Sequence, residues 1–425
     1  MKLPTTLTLA CLACLSLATL RADTIDLMNG AQVQGKILAN DSTAQTLTVE
    51  FSLGGNLVQR TVPYSTVHAI TVDGVRTELT PKPGGGAPAA APKERTPAEV
   101  QALIAQTGST EPDWLAKTRL NLPKTLDLSW PEPAPKPWNP NQNMGQFIWD
   151  IIHPNSSRWQ EGIQLMYHLL DLHKGDAAKQ DRVVKSLASM YFRFFQDHAR
   201  AAYWWQKAGV DADDNDSVAL AECYWRLGSK PMALDLLNRS GFLRTGTIKL
   251  LGDMLETERA MKMAEDYVRV GGELHEAYLL AGDACRLAGQ PAKAMEYYDK
   301  VVAEPAEGQR AQRMQRVQAR AKENLEAIKL FELADVAKVR DGTYQDSSLG
   351  YEGQVQVSVT VRNKQIQTVK ITQHKEKQYY SALRDVPEQI IAKQGVQGVE
   401  ATSRATITGE AIINATAKAL AKGAQ

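Results

Sequence analysis

Between Gly145 and Lys338 the chain carries a weak internal repeat, and no other feature limits its possible folds so strongly. The run Ala219-Leu-Ala-Glu-Cys-Tyr224, closing at Leu227-Gly228 and followed by Ala233, Leu236 and Leu237, recurs as Ala277 to Ala288-Gly289 followed by Ala294, Tyr297 and Tyr298. Leu250-Leu251-Gly252-Asp253 with Ala260-Met261-Lys262-Met263-Ala264 is a shorter copy, and Ala188 to Phe195 with Ala201 to Trp205 is another. Ala260 to Ala294 spans one period of 34 residues. A unit of that length is a pair of helices that cannot bury its apolar face alone, so neighbouring copies must stack. Small residues fall where helices approach closely and large ones where they fill the groove, which predicts about three to four units in a right-handed arc.

These helix pairs resemble tetratricopeptide-like repeats, which implies a surface that binds other proteins. Within them the Tyr203-Trp204-Trp205 cluster reads as core by its helical spacing. Cys223 and Cys285 sit on first helices of nonadjacent copies and read as two buried thiols. Arg310, Arg313, Arg316, Arg320 and Lys322, interleaved with Leu325, Ile328 and Leu333, predict a long helix over 309–338 with a solvated charged face.

Residues 1–22 combine one lysine, an apolar run from Leu7 to Leu20 and Leu20-Arg21-Ala22 ahead of Asp23, the pattern of a signal peptide cleaved after Ala22. The run is shorter than the ~20 residues of a bilayer span. The mature chain is therefore expected outside the cytoplasm, periplasmic or otherwise extracytoplasmic. Residues 23–80 carry short alternating runs, Thr24–Leu27, Gln32–Leu38, Thr46–Phe51, Leu57–Val62 and Val67–Val72, parted by turn residues at Asn29-Gly30, Asn40-Asp41 and Gly54-Gly55. That pattern predicts a five-stranded small barrel, SH3-like or Sm-like, serving as an interaction or spacer module, with His68 structural. Residues 81–144 hold a linker from Pro81 to Pro97 with Gly84-Gly85-Gly86, then a proline-rich stretch from Leu122 to Asn143. Trp130 and Trp138 in that stretch are expected to lie against a neighbouring domain.

Lysine plus arginine number 49 against 48 acids, so no bulk charge points to nucleic acid. The seven histidines are scattered, no Cys-x-x-Cys survives removal of the leader, and no phosphate-binding glycine loop or nucleophile elbow is present.

The last segment, 339–425, opens with Asp341-Gly342-Thr343-Tyr344 and Gly350-Tyr351-Glu352-Gly353. Val355, Val357, Val359 and Val361 then alternate strictly, Asn363-Lys364 forms a turn, and Ile366 to Thr372 completes a hairpin with a bulge near Gln367. Beyond it stand His374, Glu376, Tyr379 and Tyr380, then Val399-Glu400-Ala401-Thr402-Ser403-Arg404-Ala405-Thr406-Ile407-Thr408, and a helix expected over 409–422. Residues 341–422 resemble the FMN-binding domain family, whose attachment loop usually reads Asp-x-x-Ser-Gly-Ala-Thr-x-Thr and which includes flavin-carrying subunits of sodium-pumping and Rnf-type electron-transport complexes. Glu400 stands for the family's aspartate and Arg404 for its glycine.

The resemblance implies FMN held by a phosphoester to Thr406, with Ser403, Arg404, Ala405, Thr408 and Glu400 in the attachment loop. It further places His374, Glu376, Tyr379, Tyr380, Tyr344 and Tyr351 in the cofactor site. It also implies a flavin transferase for maturation and a membrane-associated redox protein or complex as partner. A helix starting just past the threonine would favour the ester's negative charge. The fold class read from the whole chain is multidomain α+β: small β-barrel, tetratricopeptide-like helical array, and an α+β FMN-binding domain. The expected function is electron transfer by a flavoprotein rather than catalysis by a stand-alone enzyme. The alternative is a flavin-free cell-envelope scaffold built on the repeats.

Overall fold

The structure, a computed structural model, describes residues 23–27, 32–41, 46–53, 56–72, 75–79, 94–376 and 381–424. The expected signal peptide, the turn at Asn29-Gly30, Gly54-Gly55, most of the linker, and Tyr379 and Tyr380 lie outside the described residues. The chain divides into two compact units, Met1–Pro81 and Lys82–Gln425. No helix among the described residues is long and apolar enough to cross a membrane.

The first unit is an antiparallel sheet of β1 (Asp23–Leu27), β2 (Gln32–Asp41), β3 (Thr46–Leu53), β4 (Asn56–Pro63), β5 (Val67–Val72) and β6 (Val75–Glu78) in the order β4-β3-β2-β1-β5-β6. Each of the five expected strands is present and β6 is a sixth. It pairs with β5 from Ala69↔Glu78 to Val72↔Val75, too short a run to show alternation in the sequence. Ile25, Leu47, Val49, Tyr64, Val67 and Ile70 form its core.

The second unit begins with α1 (Pro97–Leu103), whose Thr96 and Glu99 cap it reciprocally. The irregular stretch follows. Trp130 is buried there beneath the Arg182 guanidinium at 4.2 Å, as expected of a docked tryptophan, whereas Trp138 is exposed and donates to Asp150 at 2.6 Å. Next come α2 (Met144–Phe147), α3 (Trp159–Leu172), α4 (Ala177–Met190), α5 (His198–Lys207), α6 (Ser217–Arg226), α7 (Lys230–Asn238), α8 (Thr245–Asp253), α9 (Thr257–Arg269), α10 (Leu274–Leu287), α11 (Pro291–Ala303) and α12 (Ala311–Lys329). Consecutive helices pack in pairs, α6 with α7, α8 with α9 and α10 with α11, while α8 also packs on α10. At that second contact a Cβ on Gly252 would come within 2.7 Å of the Ala284 methyl. Trp204 and Trp205 are core, and Cys223 and Cys285 are buried free thiols.

The second sheet-bearing segment is β7 (Gly342–Leu349), β8 (Gln354–Arg362) and β9 (Gln365–Gln373), antiparallel in that order, with α13 (Ala382–Lys393) and α14 (Thr406–Ala424) packed on it. The four alternating valines of β8 are fully buried. Asn363 and Lys364 both adopt positive φ, the signature of a tight hairpin turn. The pairing jumps from Thr360↔Thr368 to Val361↔Ile366, leaving Gln367 as the bulged residue, and a second jump leaves Thr372 unpaired. This sheet and the helical array share one continuous core. α14 is buried on nearly every side, being packed against β7, β8, α12 and α13.

Candidate functional site

Helix α14 starts three residues earlier than its sequence suggests. Gly409 reads as a helix boundary, yet it lies inside the first turn because Ala401 and Thr402 press against it. A Cβ there would meet Ala401 Cα at 3.1 Å and Thr402 N at 3.2 Å. Thr406 is thus the first residue of α14, and the Ala405 carbonyl accepts the first helical bond from Gly409 at 2.9 Å. An alanine before the helix has no side-chain acceptor, so the first-turn N–H groups keep their positive end for another partner. The preceding turn closes from Ala405 N–H to the Thr402 carbonyl at 3.0 Å. Arg404 within it adopts φ 64, the left-handed conformation that glycine takes most cheaply. Its guanidinium lies 6.0 Å from the centre of the Phe192 ring.

The other expected site residues separate into groups. Thr408 is buried and its hydroxyl donates to Glu376, whose second oxygen accepts the Glu352 N–H at 3.0 Å. Glu376 therefore ties the Gly350–Gly353 turn to the first turn of α14. Gly350 is required there, since a Cβ would fall 2.7 Å from that carboxylate. Tyr351 on the same turn is exposed and His374 is half-buried two residues before Glu376. Tyr344 lies elsewhere. Its ring packs on Gly423, which is seventeen residues along α14 from Thr406, or about 25 Å at the helical rise. The structure does not bring Tyr344 to the attachment loop.

Glu400 faces the helical array. It forms a two-point ion pair with Arg226 of α6, one contact being 3.1 Å, while the Gln389 side chain of α13 brackets its backbone at 3.0 and 3.1 Å. Burial would lower the Arg226 pKa, but Glu400 and then Glu222 outweigh it and hold the guanidinium charged. Lys249 of α8 reaches the Ala401 carbonyl at 3.3 Å and Asp253 at 2.5 Å.

Thr406 itself is half-buried and lines a cavity of about 20 Å³ together with Lys249, Asp253, Asp283, Arg286 and Glu410. Glu410, one helical turn beyond Thr406, is paired with Arg320 of α12 at 3.0 and 3.1 Å. Arg320 thus departs from the solvated face its charge run suggests, because its carboxylate partner lies far along the chain. Of the residues lining this cavity, Arg286 Nε and Asp283 Oδ2 are buried without a hydrogen-bond partner; Thr402 Oγ1 and Arg320 Nε, outside the lining, are too. No residue of the array was visible from sequence as part of a site, since nothing local marks Lys249 or Arg286 among other repeat residues.

Its lining brings two cationic side chains, Lys249 and Arg286, to a helix N-terminus, and sets the carboxyl groups of Asp253, Asp283 and Glu410 against them. The volume suits a water-sized group rather than a flavin ring, whose sites run to several hundred Å³. A flavin ring would not fit inside this cavity. A larger cleft of about 430 Å³, lined in part by Ile148, Arg182, Arg193 and Asp216, opens on the array. The carboxyl of Asp216, pushed up by burial and by Asp214, feels the opposing charge of Arg404.

Residues 350–421 match the FMN-binding domain family. No curated protein and no solved structure matches the chain. The family match supports a flavin-binding protein, and its span contains residues 400–408 and most of α14.

Proposed function

From a C-terminal domain of the FMN-binding family, we propose that this protein carries FMN covalently, as a phosphoester on Thr406, and works as an extracytoplasmic electron carrier. The carrying observation is the placement of Thr406. Thr406 is the first residue of a 19-residue helix preceded by Ala405, which has no side-chain acceptor, while the competing Thr408 hydroxyl is taken by Glu376. Arg404, standing where the family has glycine, holds the left-handed conformation that glycine adopts most cheaply. Bound FMN supplies the redox chemistry. The chain's part is to anchor the phosphate and to give the ring an apolar face, for which His374, Tyr351, Tyr379 and Tyr380 are the proposed residues. A flavin transferase outside the cytoplasm would load it, and the helical array and the N-terminal sheet would dock it to a membrane-associated redox partner.

The small volume beside Thr406 favours a second reading, a flavin-free scaffold in which the array does the work. One experiment separates the two. Protein produced together with a flavin transferase and then denatured should gain the mass of one FMN less a water, and Thr406→Ala should not gain it. An unmodified wild-type chain would leave the scaffold as the better account.

A further inference from the structure

We propose that the larger cleft on the helical array binds a neutral saccharide, with the exposed indoles of Trp149 and Trp138 beside it as stacking faces and the guanidinium and carboxyl groups of its lining as hydrogen-bond partners. The inference uses residues of the array and of the stretch before it, and it stands or falls independently of the flavin.

Of the eight tryptophans in the chain, six are buried or half-buried, whereas Trp138 and Trp149 are 62% and 44% exposed. Those two stand together. Trp138 donates to Asp150 at 2.6 Å, and Asp150 is the residue after Trp149, so the exposed ring is held in place rather than left free. The Trp149 ring centre lies 5.4 Å from that of His153, and His153 lines the cleft of about 430 Å³ together with Ile148. Two indoles fixed on one patch beside a cleft mark a surface that a flat apolar face covers. The volume is that of a small-ligand site.

Charge narrows the ligand. Arg182, Lys185 and Arg193 are set against Glu132, Asp181 and Asp216 in the lining. Lys185 reaches Asp181 at 3.5 Å and the adjoining Asp214 at 3.2 Å, and Arg182 reaches Glu132 at 3.8 Å. Arg404 adds one more cation near Asp216, as Asp214 adds one more acid, so the count stays even. Even with Asp216 protonated, towards which burial and Asp214 push it, a single cation is left over. That is too little charge to select a phosphate or a metal ion, and so polar a lining does not suit a lipid chain. His153 is neutral as well, pushed down to about 4 by burial and then by Arg193, and its buried Nδ1 has no hydrogen-bond partner.

The lining offers planar forks of both kinds, the guanidinium donors of Arg182 and Arg193 and the carboxyl acceptors of Asp181 and Asp216. Neighbouring hydroxyls on a sugar donate and accept at once, so one diol can answer a donor fork and an acceptor fork together. The C–H face of the same sugar is flat and apolar, which suits an indole. A saccharide joins an apolar face to a rim of hydroxyls, and the cleft with its two indoles presents the complement of both.

The test is isothermal titration calorimetry of the full chain with maltotetraose, cellotetraose, xylotetraose and chitotetraose, and with riboflavin and octaproline as a flat heterocycle and an uncharged peptide. At least one tetrasaccharide is expected to bind. Trp149→Ala should weaken it on the order of tenfold, the loss of one stacked face, and Trp149→Phe should keep most of it. Arg193→Met should weaken it too. Should Trp149→Ala fail to fold, hydrogen exchange on wild type decides: amides of 148–153 and of α4 should exchange more slowly with the saccharide present. Four silent tetrasaccharides would overturn the inference. So would binding that Trp149→Ala leaves unchanged, exchange that does not slow there, or binding of riboflavin or octaproline in place of a sugar.

Discussion

The two sheets of this chain are built from the same kind of sequence and end in opposite circumstances. Both alternate apolar and polar residues along antiparallel strands. The N-terminal sheet gathers six core residues of its own, among them Ile25, Leu47 and Ile70. The C-terminal sheet has only three strands, and its valines join a core that runs through α14 and α12 into the repeats. A three-stranded sheet with two helices is small for an independent core. The contacts that complete it are polar as well as apolar: Asn414 donates to Asn324 at 2.7 Å, Lys418 meets Glu323 at 2.7 Å, and Arg320 meets Glu410. One sheet is complete in itself, and the other has become the end of the array.

The largest effect tests that contrast directly. Residues 23–80 produced alone should unfold in one cooperative thermal transition, and residues 339–425 alone should not. α14 is buried on nearly every side in the chain, and cutting at 338 exposes the side that faces α12. A sharp calorimetric transition from 339–425 would break the comparison. Next in size is Glu410→Ala, which leaves Arg320 buried and uncompensated and is expected to cost about 3–5 kcal/mol in denaturant unfolding. Thr406→Ala, in the same helix one turn earlier, should cost no more than about 1 kcal/mol. Equal losses would mean that the Arg320–Glu410 pair is not a fastening.

How much of this could be read beforehand follows from the range of the signals. Strands at Thr46–Phe51 or Val355–Val361 and helices paired at repeat spacing are local patterns, and they appear where the sequence places them. The bulge at Gln367 was legible because a parity change along β9 is itself local. Lys249, Arg286 and Arg226 were not legible. They lie more than a hundred residues before Thr406, and no periodicity relates a repeat helix to a loop in another domain. Gly409 misled because its role is close approach to Ala401, a tertiary demand that overrides its poor helix propensity.

A third test sharpens the boundary between the array and the C-terminal sheet through its protonation. Asp283 is held protonated in the fold by burial and by Glu410, whereas its unfolded form titrates near the usual carboxylate value. Its neutral form stabilises the fold fully below that unfolded value, and the contribution is lost as pH rises towards the folded one. Asp283→Asn keeps the acceptor for Tyr298 at 2.7 Å and for Asn324 at 3.2 Å and cannot ionise. Its stability relative to wild type should therefore rise between pH 5 and pH 7 by at most about 1.4 kcal/mol per pH unit. A difference that stays flat or falls across that range would show that Asp283 is ionised in the fold.

The smallest effect concerns Arg404, where the FMN-binding domain and the array meet at a strained residue. A non-glycine residue at φ 64 costs roughly 1 kcal/mol or more relative to glycine. The arginine gives in return only a ring contact at 6.0 Å from Phe192 and a longer-range attraction to Asp216. Partly exposed contacts of that kind contribute about 0.5–1 kcal/mol. Arg404→Gly should accordingly leave unfolding stability unchanged or raise it by up to about 1 kcal/mol, against the usual direction for removing a long side chain. Flavin loading should persist, because the loop already has the shape that glycine favours. If Arg404→Gly were instead destabilised by more than about 1 kcal/mol, the guanidinium would be a third fastening between array and domain, beside Arg226 and Arg320. The attachment loop would then depend on the array on both sides of Thr406.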